Sequence, residues 1–257
     1  MRNVGQQNSI LVFSAHAADC FYLAGGTIAK YCQMGAAVRI VTLSFGARGH
    51  SYRAEDGLSI EGIKASKAEE VHRACTLLGV ESVMNLNWED DPLEVGREEI
   101  ECLIEIIRDF KPTFILSHHL RESDWHDHRI AAMAIIAAYE SAEERYRDSK
   151  HAPWQANNIF FYHSLWNAQG KDSFAGIPEP SVIMDITDVI GMKRELYQQF
   201  TTQGSTTQEW INKTIERFDG RFWPIHGIEY GEAFLQMYPD IVDAFRMREK
   251  GFRLAVR

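Results

Sequence analysis

The chain has 257 residues, 45% hydrophobic and 25% charged, the balance of an ordinary globular protein with a substantial core. A formal net charge of −9 and a pI near 5.6, with no basic stripe, exclude nucleic acid and anionic membrane surfaces as partners. The first nine residues are polar and no apolar run reaches membrane-spanning length, so the sequence predicts a cytoplasmic protein. Cys20, Cys32, Cys75 and Cys102 form no Cys-x-x-Cys pair and read as free thiols of a reducing compartment.

In chain order, the apolar run from Ile10 predicts a buried strand that stops at His16, with Asp19 after it. The Gly25-Gly26 pair is expected to open a helix over 27–34, stopped at Gly35, before a second buried strand over 37–43. That βαβ unit predicts an α/β fold with a mostly parallel sheet. A glycine-punctuated loop follows, carrying Arg48 and His50 on the same rim as His16. The pattern then predicts a helix over 60–78, a strand over 83–86, an acidic loop from Trp88, and a helix over 97–110. A strand over 113–117 ends in His118-His119, and a polar loop leads to an apolar helix over 127–139 that opens with Asp127 and His128. Further strands are expected over 159–162, ending at His163, and over 181–186. Helices are expected over 192–200, 208–218 and 241–245, with a connection carrying His226 before the last.

His16, His118, His119, Asp127, His128 and His163 all fall at carboxyl ends of predicted strands or in the loops just after them. In a parallel sheet those ends share one rim, where α/β folds build their sites. Two histidines and a carboxylate form the ligand set of a hydrolytic zinc site, and the same set accepts other divalent metals. His16, Asp19 and His128 are the expected ligands. Asp127 is expected as an acid/base or ligand-orienting carboxylate, and His163 as a general acid or base facing the metal. Arg48, His50, His118 and His119 are candidates for binding a small anionic substrate. The aromatic-rich C-terminal third offers surface for a homo-oligomer.

The run Ser-Ala-His-Ala-Ala-Asp-Cys-Phe-Tyr-Leu-Ala-Gly-Gly over 14–26, with Asp-His-Arg later at a helix start, resembles the LmbE-like or PIG-L family of zinc-dependent de-N-acetylases. The hallmarks of that family are Pro-His-Pro-Asp-Asp-Glu and a later His-x-Asp-His. The resemblance implies a Rossmann-like three-layer fold in one domain over 1–257, its core about 8–165 and a C-terminal elaboration about 166–257. It also implies zinc on His16, Asp19 and His128. Ala18 stands where those deacetylases place their usual general base, Cys20 replaces the usual Glu, and Trp125 replaces the first His of the later motif.

Leu-Ser-Phe-Gly-Ala-Arg-Gly-His-Ser, Leu-Ser-His-His-Leu and the strand-end His163 are similar to the 4-oxalomesaconate hydratase branch, which adds water to an unsaturated tricarboxylic acid. There the resemblance implies zinc at the α-keto acid and a proton shuttle at His163, with His50 where an acidic residue is expected. The expected function is therefore a zinc-dependent hydratase of an unsaturated keto-carboxylic acid. A de-N-acetylase and a non-catalytic binding protein stand as alternatives.

Overall fold

The computed structural model describes residues 8–49, 57–80, 82–122, 126–145, 148–163, 178–204, 206–222 and 227–241. Strand β1 (Ser9–Ser14) is buried beyond its first residue, as a central strand covered on both faces must be. It is followed by α1 (Asp19–Gln33), β2 (Ala37–Ser44), α2 (Ile60–Leu78), β3 (Ser82–Trp88), α3 (Arg97–Phe110), β4 (Phe114–Ser117), α4 (His126–Ala142) and β5 (Ile159–Tyr162). The remaining elements are β6 (Val182–Asp185), α5 (Ile190–Gln199), α6 (Gln208–Phe218) and β7 (Gly231–Gln236).

These strands form one sheet in the order β3-β2-β1-β4-β5-β7-β6, in which β7 alone runs against its neighbours. Successive side chains of β1 point to opposite faces and so belong to different cores. Val12 packs with Phe21, Ile28, Val71, Leu196 and Ile211 of α1, α2, α5 and α6. Phe13 packs with Ile104, Ile107 and Ile135 of α3 and α4. The result is the three-layer, mostly parallel α/β architecture that the periodicity predicts. Strand order reverses between β1 and β4, which leaves a crevice outside their carboxyl ends.

Two expectations are corrected. Helix α1 starts at Asp19, and Gly25 and Gly26 lie in its interior. A Cβ on Gly25 would come 2.8 Å from Leu196, and one on Gly26 2.9 Å from Ile186, so the pair permits close packing rather than opening a helix. Strand β7, absent from the sequence reading, fills the place between β5 and β6. His50, Trp125, His226 and all of the predicted terminal helix after Ile241 lie outside the described residues. No helix among the described residues is long and apolar enough to cross a membrane, and all four cysteines are free.

Candidate metal centre

The chain leaves β1 through a tight bend in which the His16 amide donates to Asp19 Oδ2 at 2.8 Å. The same bend places Ala18 at the start of α1, buried, where its carbonyl accepts the amides of Phe21 and Tyr22. Opposite, the first turn of α4 presents Asp127 and His128, both buried. Three atoms converge in the crevice. His16 Nδ1 lies 3.2 Å from His128 Nε2, and Asp19 Oδ2 lies 3.3 Å from each of them.

That triangle fits a metal. Ligand atoms about 2.0–2.1 Å from a tetrahedral ion stand roughly 3.3–3.4 Å from one another. His16 Nε2 lies 3.1 Å from Asp127 Oδ2, and His128 Nδ1 lies 3.0 Å from Glu122 Oε1, so with a metal in the triangle each ring would give its proton outward and turn its other nitrogen to the ion. Burial works against charge on Asp19, but the imidazoles of His128 and His16 hold its carboxyl well below the usual range.

Asp127 is committed on every side: besides His16 it accepts the amides of Asp91 at 3.1 Å and Leu93 at 2.8 Å. Burial raises its pKa, yet these contacts bring it down to about 2. A carboxylate so weakly basic, with its oxygens already occupied, orients His16 and is poorly suited to abstracting a proton, which narrows the two roles the sequence left open. Gly46, in the loop after β2, closes the site from the other side. Its φ is +65°, and a Cβ there would stand 2.9 Å from that of His16. Lys67, buried on α2, holds that loop by donating to the Gly46 carbonyl at 2.9 Å.

Glu122 is the residue the sequence reading missed. It lies in the polar stretch after β4, buried, and spans two rings, with Oε2 2.8 Å from His118 Nδ1 and Oε1 on His128. Burial opposes its ionisation, and the two imidazoles outweigh it, holding the carboxyl far below its usual range. His118, expected to meet substrate, is fully buried. Its Nε2 accepts the Ala15 amide at 3.0 Å and its Nδ1 faces Glu122, which leaves neither nitrogen for a ligand. His118, Glu122 and His128 also lie close enough to suggest a second metal group, but these hydrogen bonds already occupy it.

The other expected residues are spread along the rim. Arg48 is half-exposed and ion-paired with Glu89, while its amide donates to Asp90 at 2.8 Å. His119 follows β4, half-buried against the Phe161 ring, with Nδ1 accepting the Arg121 amide at 3.2 Å. His163 follows β5 with Nε2 3.1 Å from the Pro178 carbonyl, so that nitrogen carries the proton and the buried Nδ1 is the basic atom, with no hydrogen-bond partner among the described residues. Burial and the neighbouring Arg221 guanidinium lower the His163 pKa, so the ring is neutral at neutral pH.

A mostly parallel sheet with a histidine–carboxylate cluster at its switch point is an α/β fold with a candidate metal site at the place where such folds build active sites. Residues 11–139 match the GlcNAc-PI de-N-acetylase model, PIG-L, and the chain belongs to that family. Over 181 residues it is 35% identical to 4-oxalmesaconate hydratase of Pseudomonas putida, covering 63% of this chain and 70% of that one. It is 25% identical to diacetylchitobiose deacetylase of Thermococcus kodakarensis, over 72% of this chain and 66% of that one. The crystal structure of the 4-carboxy-2-hydroxymuconate hydratase from Pseudomonas putida superposes with a TM-score of 0.78 at 24% identity, over 93% of this chain and all of that one. With a hydratase and a deacetylase as relatives, the chain is an enzyme.

Proposed function

We propose that the protein is a zinc-dependent hydratase of a small unsaturated keto-carboxylic acid, of the 4-oxalomesaconate type, with His16, Asp19 and His128 as the zinc ligands. The observation that carries this reading is an intact ligand triangle beside a position 18 that holds a buried alanine and no carboxylate. Water activation by a carboxylate at that place is lost, and Asp127 is already engaged by His16 and by the Asp91 and Leu93 amides. The 35% identity to a hydratase supports the same choice. When bound, the ion supplies Lewis acidity toward the α-keto acid end of the substrate.

Hydration adds OH to one alkene carbon and H to its neighbour. Neutral His163 takes the proton of the incoming water at Nδ1 and returns a proton to the neighbouring carbon. The Pro178 carbonyl keeps Nε2–H in place through the cycle. Asp127 and Glu122 keep His16 and His128 in the tautomers the site requires.

The test is elemental analysis of the purified protein beside an ultraviolet assay of the unsaturated keto acid. About one zinc per chain and loss of dienoate absorbance without a second product are expected. His163→Ala is expected to lower kcat by about 10²- to 10⁴-fold and leave metal content unchanged. Acetate release from acetylated sugars, with the dienoate untouched, would overturn the hydratase reading in favour of a deacetylase.

Glu122→Gln retains an acceptor for one ring but cannot serve both imidazoles as a charged partner. The expected result is a loss of zinc affinity of about 10- to 100-fold, measured by chelator competition. Complete loss of zinc would instead make Glu122 a ligand.

A further inference from the structure

We infer that Arg221 is the specificity-determining residue that binds a substrate carboxylate distal to the metal end, which makes the site one for polycarboxylates; this rests on the hydratase reading and extends it. The placement follows from topology. His163 donates its amide to the Ala233 carbonyl at 3.0 Å, and Gly231 donates its own to the Asp219 carbonyl at 2.9 Å. Because β7 runs antiparallel, its amino-terminal end, and with it the turn Gly220–Phe222, lies at the carboxyl-terminal rim of the parallel strands. Along that rim stand Arg48 after β2, His16 after β1, His119 after β4, His163 after β5 and Arg221 before β7.

The two arginines differ in what holds them. Arg48 is paired with Glu89, so its charge is compensated within the chain. Arg221 is partly buried, with its Cζ 4.4 Å from the centre of the Phe222 ring, and one Nη donates to the Phe218 carbonyl. A guanidinium has five N–H donors in a planar fork. Among the described residues the other four have no partner, and no carboxylate forms an ion pair with Arg221. Asp219, two residues earlier, directs Oδ1 to Lys193 at 2.9 Å and attracts the guanidinium without forming an ion pair with it.

A partly buried guanidinium whose remaining donors meet no partner among the described residues is arranged to receive a carboxylate in two parallel hydrogen bonds. The ladder from His163 to Ala233 and from Gly231 to Asp219 puts that fork at the same end of the sheet as the proposed proton shuttle. An acetamido sugar has no anion to offer there. A tricarboxylate has one to spare after its keto acid end is engaged.

The experiment is calorimetric titration of the zinc-loaded protein with tricarballylate, a saturated tricarboxylate, and with N-acetylglucosamine as the neutral comparison. Wild type is expected to bind only tricarballylate. Arg221→Gln is expected to weaken that binding by about 10- to 100-fold, with zinc content and melting temperature unchanged, and Arg221→Lys to restore part of it. In the hydratase assay the effect is expected in KM more than in kcat. Equal tricarballylate affinity in wild type and Arg221→Gln, or no binding to wild type, overturns the inference. Should Arg221→Gln fail to fold, undiminished affinity in Arg221→Lys overturns it, since lysine cannot supply the fork. If wild type binds tricarballylate through Arg221 but does not hydrate the keto acid, the hydratase reading fails and the carboxylate site stands.

Discussion

Replacing His128 with alanine is expected to leave the purified protein without zinc and to lower turnover by about 10⁴-fold, equivalent to roughly 5.5 kcal/mol of barrier. The side chain works at both ends: Nε2 completes the triangle with His16 Nδ1 and Asp19 Oδ2, and Nδ1 lies on Glu122. Alanine removes one of the three proposed ligands and deprives the buried Glu122 carboxylate of one of its two imidazole partners. Leaving that oxygen unpaired costs stability on the order of 1–3 kcal/mol, so the variant should still fold. Circular dichroism and elemental analysis on the same sample separate the two effects. A folded variant that kept a full complement of zinc would show that the ion sits elsewhere, and the proposed ligand set would fall.

How much of this site can be read from the sequence depends on what each residue's neighbours are. His16 and His128 are legible because apolar segments of strand and helix length frame them, so their position in an α/β fold follows from periodicity. Glu122 is not, because a glutamate in Leu120–Trp125 looks like any solvated loop residue. Its only local signal is His118 four residues before it, and the contact to His128 exists only after folding. Strand β7 escapes for a related reason. Gly-Glu-Ala-Phe-Leu-Gln carries a charge at its second position, and charge argues against a buried strand until its partner is known. Arg221 is likewise invisible, since the turn that carries it reaches the rim only through the antiparallel run of β7.

The partner that makes β7 tenable is Lys193, and Lys193→Met is expected to lower the free energy of unfolding by about 3–5 kcal/mol. For a chain of this size that is a fall in melting temperature of roughly 6–20 °C. Lys193 is fully buried and donates to Glu232 at 2.7 Å and Asp219 at 2.9 Å. Glu232 in turn accepts the amides of Gly26 and Thr27, at 2.8 and 2.7 Å, so one ammonium ties α5 and β7 to the interior of α1. Methionine fills the space but removes the one cation hydrogen-bonded to both buried carboxylates, leaving Asp219 only the weaker pull of Arg221.

Burial already pushes the Asp219 carboxyl up, against the pull of Lys193. An acid whose folded pKa exceeds its unfolded value favours the folded state at low pH, an advantage lost as pH rises through the folded pKa. With Lys193 gone the upward shift grows, so the deficit should be smaller near about pH 5 than near about pH 8. Adding Asp219→Asn and Glu232→Gln removes both charges but leaves one carbonyl oxygen for the two α1 amides, so it should recover only part of the loss. A Lys193→Met protein that melts with wild type at both pH values would mean that water or a rearranged side chain compensates the carboxylates, and that the join between β7 and α1 does not depend on this lysine.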